Sequence, residues 1–160
     1  MNTLFIRRIP VLSLISLLWV AWSFAPPAAQ KETEMLDRAR QLFGRYISLE
    51  ETFDPAAADL YADAALIKNK RTYPTGEVRE ITFPAPKYKE LIRQAMPLAK
   101  ARGDRNRYSE ISYSVEGERV RIHATRYSVL KEYSSPISLL VGPGTAGQWL
   151  IYEELTESKP

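Results

Sequence analysis

The sequence predicts an α+β domain in which a curved, mostly antiparallel six-stranded sheet wraps around three helices. Three observations carry this: apolar residues at helical spacing in two stretches, strand-like runs that come in pairs around short turns, and one composition regime across 160 residues. No internal repeat or low-complexity tract interrupts that regime, so one domain spanning 30–160 is expected behind an N-terminal segment of 1–29.

The first helix is read from Glu32 to Ser48, where Met35, Leu36, Ala39, Leu42, Phe43, Tyr46 and Ile47 recur at three- and four-residue steps. Asp54 before Pro55 supplies an N-cap and a first-turn proline, and Ala57, Leu60, Tyr61 and Ala64 continue a short second helix. Residues 65–74 and 77–84 then form a hairpin about a Thr75-Gly76 turn. A third helix covers about Pro86 to Arg102 with the stripe Tyr88, Leu91, Ile92, Ala95 and Ala99, and Pro97 inside it predicts a kink near Met96. The strand-like runs 107–115, 119–130, 138–141 and 148–155 follow as two further hairpins. To bury the helical stripes, the sheet must curl around them.

Residues 1–25 have the pattern of a secretory signal, with Arg7 and Arg8 ahead of an apolar run that is short for a membrane span. Ser23-Phe24-Ala25 gives a small-x-small pattern, but Pro26 follows it, which leaves cleavage after Ala28 or Ala29, or retention as an anchor. A membrane partner is expected only if the segment is retained. The expected location is the periplasm or the exterior. Without cysteine there is neither a disulfide framework nor a lipid-anchored thiol. The net charge of +3 includes Arg7 and Arg8; without them 20 basic side chains face 19 acidic ones, a balance that argues against a nucleic-acid partner.

Gly44-Arg45-Tyr46-Ile47-Ser48-Leu49 and, after a short spacer, Leu60-Tyr61-Ala62-Asp63-Ala64-Ala65-Leu66-Ile67 resemble the opening of the nuclear transport factor 2-like superfamily, and of its ketosteroid isomerases in particular. The resemblance, which the element order extends over the mature chain, implies a cone-shaped domain with an apolar cavity at its open end and a homodimer formed through the outer sheet face. It places Tyr46 where the isomerases hold a phenol against the enolate oxygen. Their general base would fall at Asn69, eight residues after Tyr61, and an amide does not accept a carbon-bound proton. Their second oxyanion donor would fall at His123. Strand alternation opposes this, since Val120, Ile122 and Ala124 share the apolar face while Arg119, Arg121, His123 and Thr125 share the other; a one-residue shift in register would reverse it. Tyr152 falls near an aromatic wall of the isomerase cavity.

His123 is the only histidine, so no metal-ligand set, Ser-His-Asp triad or cofactor motif emerges, and no cofactor is expected. Glu50-Glu51 and Glu153-Glu154 are sequence neighbours that point in different directions and make no dyad by themselves. The glycine-rich run 142–147 is a hairpin turn, because it lacks the ending of a phosphate loop. The leading expectation is a pocket for a small apolar or amphipathic molecule, lined by Phe43, Tyr46, Tyr61, Asn69, Ile92, Met96, Ile122 and Tyr152. An alternative is a cyclase, dehydratase or isomerase in which Tyr46 polarises a carbonyl and His123 or Asp63 moves a proton. A third is an assembly module held at the membrane by its N-terminal segment.

Overall fold

The computed structural model describes residues 27 to 159. The signal-like pattern of 1–25 lies outside the described residues. Two helices, one 3-10 turn and six strands follow in the order α1 (Pro27–Thr52), η1 (Pro55–Leu60), β1 (Tyr61–Thr72), β2 (Val78–Pro84), α2 (Ala85–Arg102), β3 (Asn106–Glu116), β4 (Arg119–Ser128), β5 (Tyr133–Pro143) and β6 (Trp149–Ser158). The sheet order is β2-β1-β6-β5-β4-β3, with β1 and β6 parallel and every other pair antiparallel.

The stripe read in the sequence is the face that α1 buries: Met35, Ala39, Leu42, Phe43 and Tyr46. Opposite them, the inner sheet face contributes Ile67, Val120, Ile122, Leu139, Val141 and Ile151. Each such aliphatic or aromatic side chain contributes about 1.5–3 kcal/mol on leaving water. Among the described residues α1 is helical from Pro27, five residues before the expected start at Glu32. These first residues are exposed. At its other end α1 closes on Phe53 at φ 56°, where the amide of Phe53 reaches the Glu50 carbonyl and that of Asp54 the Leu49 carbonyl at 2.8 Å. This is a Schellman closure with a phenylalanine in the left-handed position that glycine usually fills.

The second helix is a six-residue 3-10 turn, not an α-helix. Asp54 caps it as expected, its side chain accepting from the Ala56 amide at 2.8 Å. The chain then enters β1 at once, so Tyr61 and Ala64, expected in the second helix, are strand. The third predicted helix is α2, which continues through Pro97 to Gly103, where a left-handed φ of 65° ends it. Its stripe is less buried than its period suggests: only Ala85 is fully buried, with Tyr88 and Ile92 half covered. β5 extends further than residues 138–141 on both sides, because Pro136 lies where β5 pairs with β4 but before its pairing with β6 begins at Ile137.

Register shifts in β3 and β6 shape the inner face. In β3 the register with β4 shifts between Ser109 and Ser112, and Glu110 takes a φ of 53°. In β6 it shifts against β5 so that Val141 pairs with Ile151 while Leu140 pairs with Glu153, which leaves Tyr152 as the extra residue. One inserted residue reverses which parity faces inward. Consequently Tyr113 and Tyr108 both face inward on β3, opposite Ile122 and Arg126, and Ile151 and Glu154 both face inward on β6.

Candidate functional site

The apolar base of the domain gives way, towards its open end, to a cluster of tyrosines and carboxylates. On β6, Glu154 is fully buried and accepts hydrogen bonds from the Tyr61 and Tyr88 hydroxyls, the latter at 2.7 Å. On the last turn of α1, Glu50 accepts from the Tyr46 hydroxyl at 3.2 Å, from that of Tyr108, and at 3.5 Å from the Asn106 amide. The rings of Phe43, Tyr46 and Tyr108 pack on one another with centroids 5.5 to 6.0 Å apart, and Tyr61 meets Tyr88 edge-on at 5.4 Å. The deep interior is therefore filled by side chains.

Arg126 belongs to the same cluster. It extends the inward face of β4 beyond Val120, Ile122 and Ala124, and its Nη2 donates to the Glu157 carbonyl at 3.3 Å. Burial lifts the Glu154 and Glu50 carboxyls above the ordinary glutamate value, opposed at each by phenol donors and by the charge of Arg126. Burial also pushes the phenols of Tyr46, Tyr61, Tyr88 and Tyr108 well above their ordinary range, so they remain donors at any physiological pH.

Between this cluster and solvent lies a cavity of about 310 Å³. One wall is apolar: Phe53 from the closure of α1, with Ala95, Met96 and Ala99 from α2. The other is polar, made by Glu50, Asn106, Arg126, Ser128, Tyr133 and Ser158, with Asp104 and Lys131 also lining it. A larger concavity of about 690 Å³ runs along Ala29 to Gln41, but among the described residues α1 alone lines it, so it offers no second wall.

Of the eight residues expected to line a pocket, Met96 does so. Phe43, Tyr46, Tyr61 and Ile122 are packed solid in the core, each less than 5% exposed. Asn69 is half-buried and spends its amide on Thr156 and Ser158, at 2.9 and 2.8 Å. Ile92 is a half-covered neighbour of the core outside the cavity lining. Tyr152, at its bulge, lies beneath the Arg119 guanidinium at 3.9 Å and donates to the Pro143 carbonyl, away from the cavity. Asp63 is exposed and ion-paired with Lys89 at 2.6 Å. His123 is exposed on the outer sheet face, beside a groove it shares with Lys68, Lys70, Glu80 and Leu155, as alternation required. Neither Asp63 nor His123 shares a cavity with Tyr46, which separates the proton-transfer partners expected from the sequence. Glu50, Tyr88, Asn106, Tyr108, Arg126 and Glu154 were missed as a group. Their one sequence signal was that each Glu-Glu pair must send one member inward on a helix or strand of this amphipathicity.

Similar solved structures share this fold. The chain has the nuclear transport factor 2-like fold. A nuclear transport factor 2-like protein with a cystatin-like fold from Novosphingobium aromaticivorans matches at TM-score 0.55 and 17% identity, over 81% of this chain and 85% of that one. A nuclear transport factor 2-like protein of unknown function from Pseudomonas putida matches at TM-score 0.58 and 13% identity, over 84% and 89%. A protein from Catenulispora acidiphila, solved in complex with S-DNPA, matches at TM-score 0.51 and 13% identity, over 78% and 93%. No family model matches the sequence, and no curated protein matches it. Within the nuclear transport factor 2-like fold, the six-stranded curved sheet supplies the cone and the cavity occupies its mouth.

Proposed function

We propose that this chain is an exported small-molecule-binding domain whose guest is amphipathic and occupies the mouth of the cone. The observation that carries the reading is the cavity's two-sided chemistry, with Phe53, Ala95, Met96 and Ala99 facing Asn106, Arg126, Ser128 and Ser158. Its volume sits at the lower end of the range usual for small-molecule sites. A wholly apolar guest would leave the polar wall without partners and is disfavoured on that ground. Export rests on Arg7, Arg8 and the apolar run behind them. That a protein of this fold from Catenulispora acidiphila holds S-DNPA supports a binding role.

Titrating the protein with 3-phenylpropan-1-ol while following backbone amide shifts tests this. Shifts confined to Phe53, Met96, Asn106, Ser128 and their neighbours, abolished by Met96→Trp, are the expected result. Shifts scattered over the outer face, or unchanged in Met96→Trp, overturn it.

One observation favours a second reading, an enzyme that moves a proton. Glu50 lines the cavity with its carboxyl lifted by burial and braced by the Tyr46 and Tyr108 phenols, the environment a general base requires. In that case Glu50 takes the role first sought at Asp63 or His123. Turnover lost in Glu50→Gln with guest binding retained would distinguish an enzyme from a carrier.

A further inference from the structure

We infer that the guest carries an acidic head group, a carboxylate, and that Arg126 holds it; this rests on the mouth cavity being a binding site. Donors and acceptors inside the cone do not balance. Both oxygens of Glu50 already accept, from Tyr46 on one side and from Tyr108 and Asn106 on the other. Both oxygens of Glu154 accept, from Tyr61 and Tyr88. The acceptors inside the cone are thus supplied.

The donors are not. Arg126 lines the cavity, and among the described residues no carboxylate lies within 4.0 Å of its guanidinium; its hydrogen bond goes to a backbone carbonyl. A guanidinium stays charged at any working pH and presents a planar fork that matches a carboxylate. Lys131, Ser128 and the Tyr133 hydroxyl add further donors around the opening.

Two acidic groups line the cavity and oppose an anion. Glu50 does so weakly, because both its oxygens are held by the Tyr46 and Tyr108 hydroxyls and the Asn106 amide. Asp104 is half exposed in the loop after α2, where water and salt weaken its field. The apolar wall of α2 then receives the body of the guest, and the head group meets Arg126.

Three ligands of one shape test this on the unsubstituted protein by calorimetry at neutral pH and low salt: 3-phenylpropanoate, 3-phenylpropan-1-ol and 3-phenylpropylamine. The acid is expected to bind about tenfold tighter than the alcohol, and the amine weakest, as a charge-assisted bond predicts. Arg126→Gln weakens the acid by more than it weakens the alcohol and so closes the difference between them, while Arg126→Lys recovers part of that difference. Alcohol or amine binding as tightly as the acid, with shifts still at the cavity, overturns the acidic head group and leaves the binding site standing. Inorganic phosphate alone binding as tightly as the acid also overturns it, since the apolar wall would then contribute nothing. No response at the cavity to any of the three overturns both readings. The ligand comparison needs no variant, so misfolding of Arg126→Gln does not blunt it.

Discussion

Glu154 and Glu50 have nearly the same immediate partners and different surroundings. Each carboxyl accepts from two tyrosine hydroxyls, each is lifted by burial, and each lies in the field of Arg126. Glu154 is sealed beneath β1, β6 and α2 at 2% exposure, whereas Glu50 lines a cavity that opens to solvent. The comparison teaches that a phenol-braced carboxylate is a structural plug where nothing can reach it and a candidate site where a guest can. Position within the cone, rather than residue chemistry, separates the two.

The strongest way to break the comparison is Glu154→Ala. It leaves the Tyr61 and Tyr88 hydroxyls without acceptors in a dry interior and should cost about 2–5 kcal/mol in urea unfolding. Glu50→Ala should cost about 1–2 kcal/mol, because cavity water can reach the freed phenols. Equal losses would mean that the sealed and open halves do not differ.

A pH series sharpens it next. Both carboxyls titrate above the ordinary glutamate value of 4.5 in the folded chain, so the folded state holds protons that the unfolded state has released. Their contribution to stability is fully present below 4.5 and is lost as the pH rises through the lifted values. Urea midpoints should therefore fall as the pH rises above 4.5 through the lifted values, and the double variant Glu50→Gln, Glu154→Gln should flatten that slope. A wild-type midpoint that rises with pH in this window would contradict the assignment.

At the cavity, Met96→Trp should leave unfolding little changed and abolish uptake of 3-phenylpropan-1-ol, because Met96 is only half-buried and faces open volume. The smallest effects belong to the outer surface. Asp63→Ala and His123→Ala should alter neither guest binding nor the unfolding midpoint, since both side chains are exposed and remote from the mouth. Loss of binding in either would restore the partners first sought for Tyr46.

The α1 stripe, the Asp54 cap, the turn at Gly76 and the alternation of Val120, Ile122 and Ala124 were legible because each depends on residues close in sequence. The same alternation correctly placed His123 outside. The pocket lining was not legible, because periodicity marks which residues are buried and does not say whether they enclose space or fill it. Phe43, Tyr46, Tyr61 and Ile122 were read as walls of a void and are its filling.

Local propensity and apolar period, which act over a few residues, suffice for the α+β class, the curl of the sheet and the helical face of α1. Tertiary structure alone decided which carboxylates meet. The bulges at Glu110 and Tyr152 exist only when strands are paired, and each moves the later or earlier part of its strand onto the opposite parity. Through them Tyr108 turns towards Glu50 and Glu154 turns towards Tyr61, while Arg126 lies in the field of both carboxyls and lines the mouth cavity with Glu50 alone of the two.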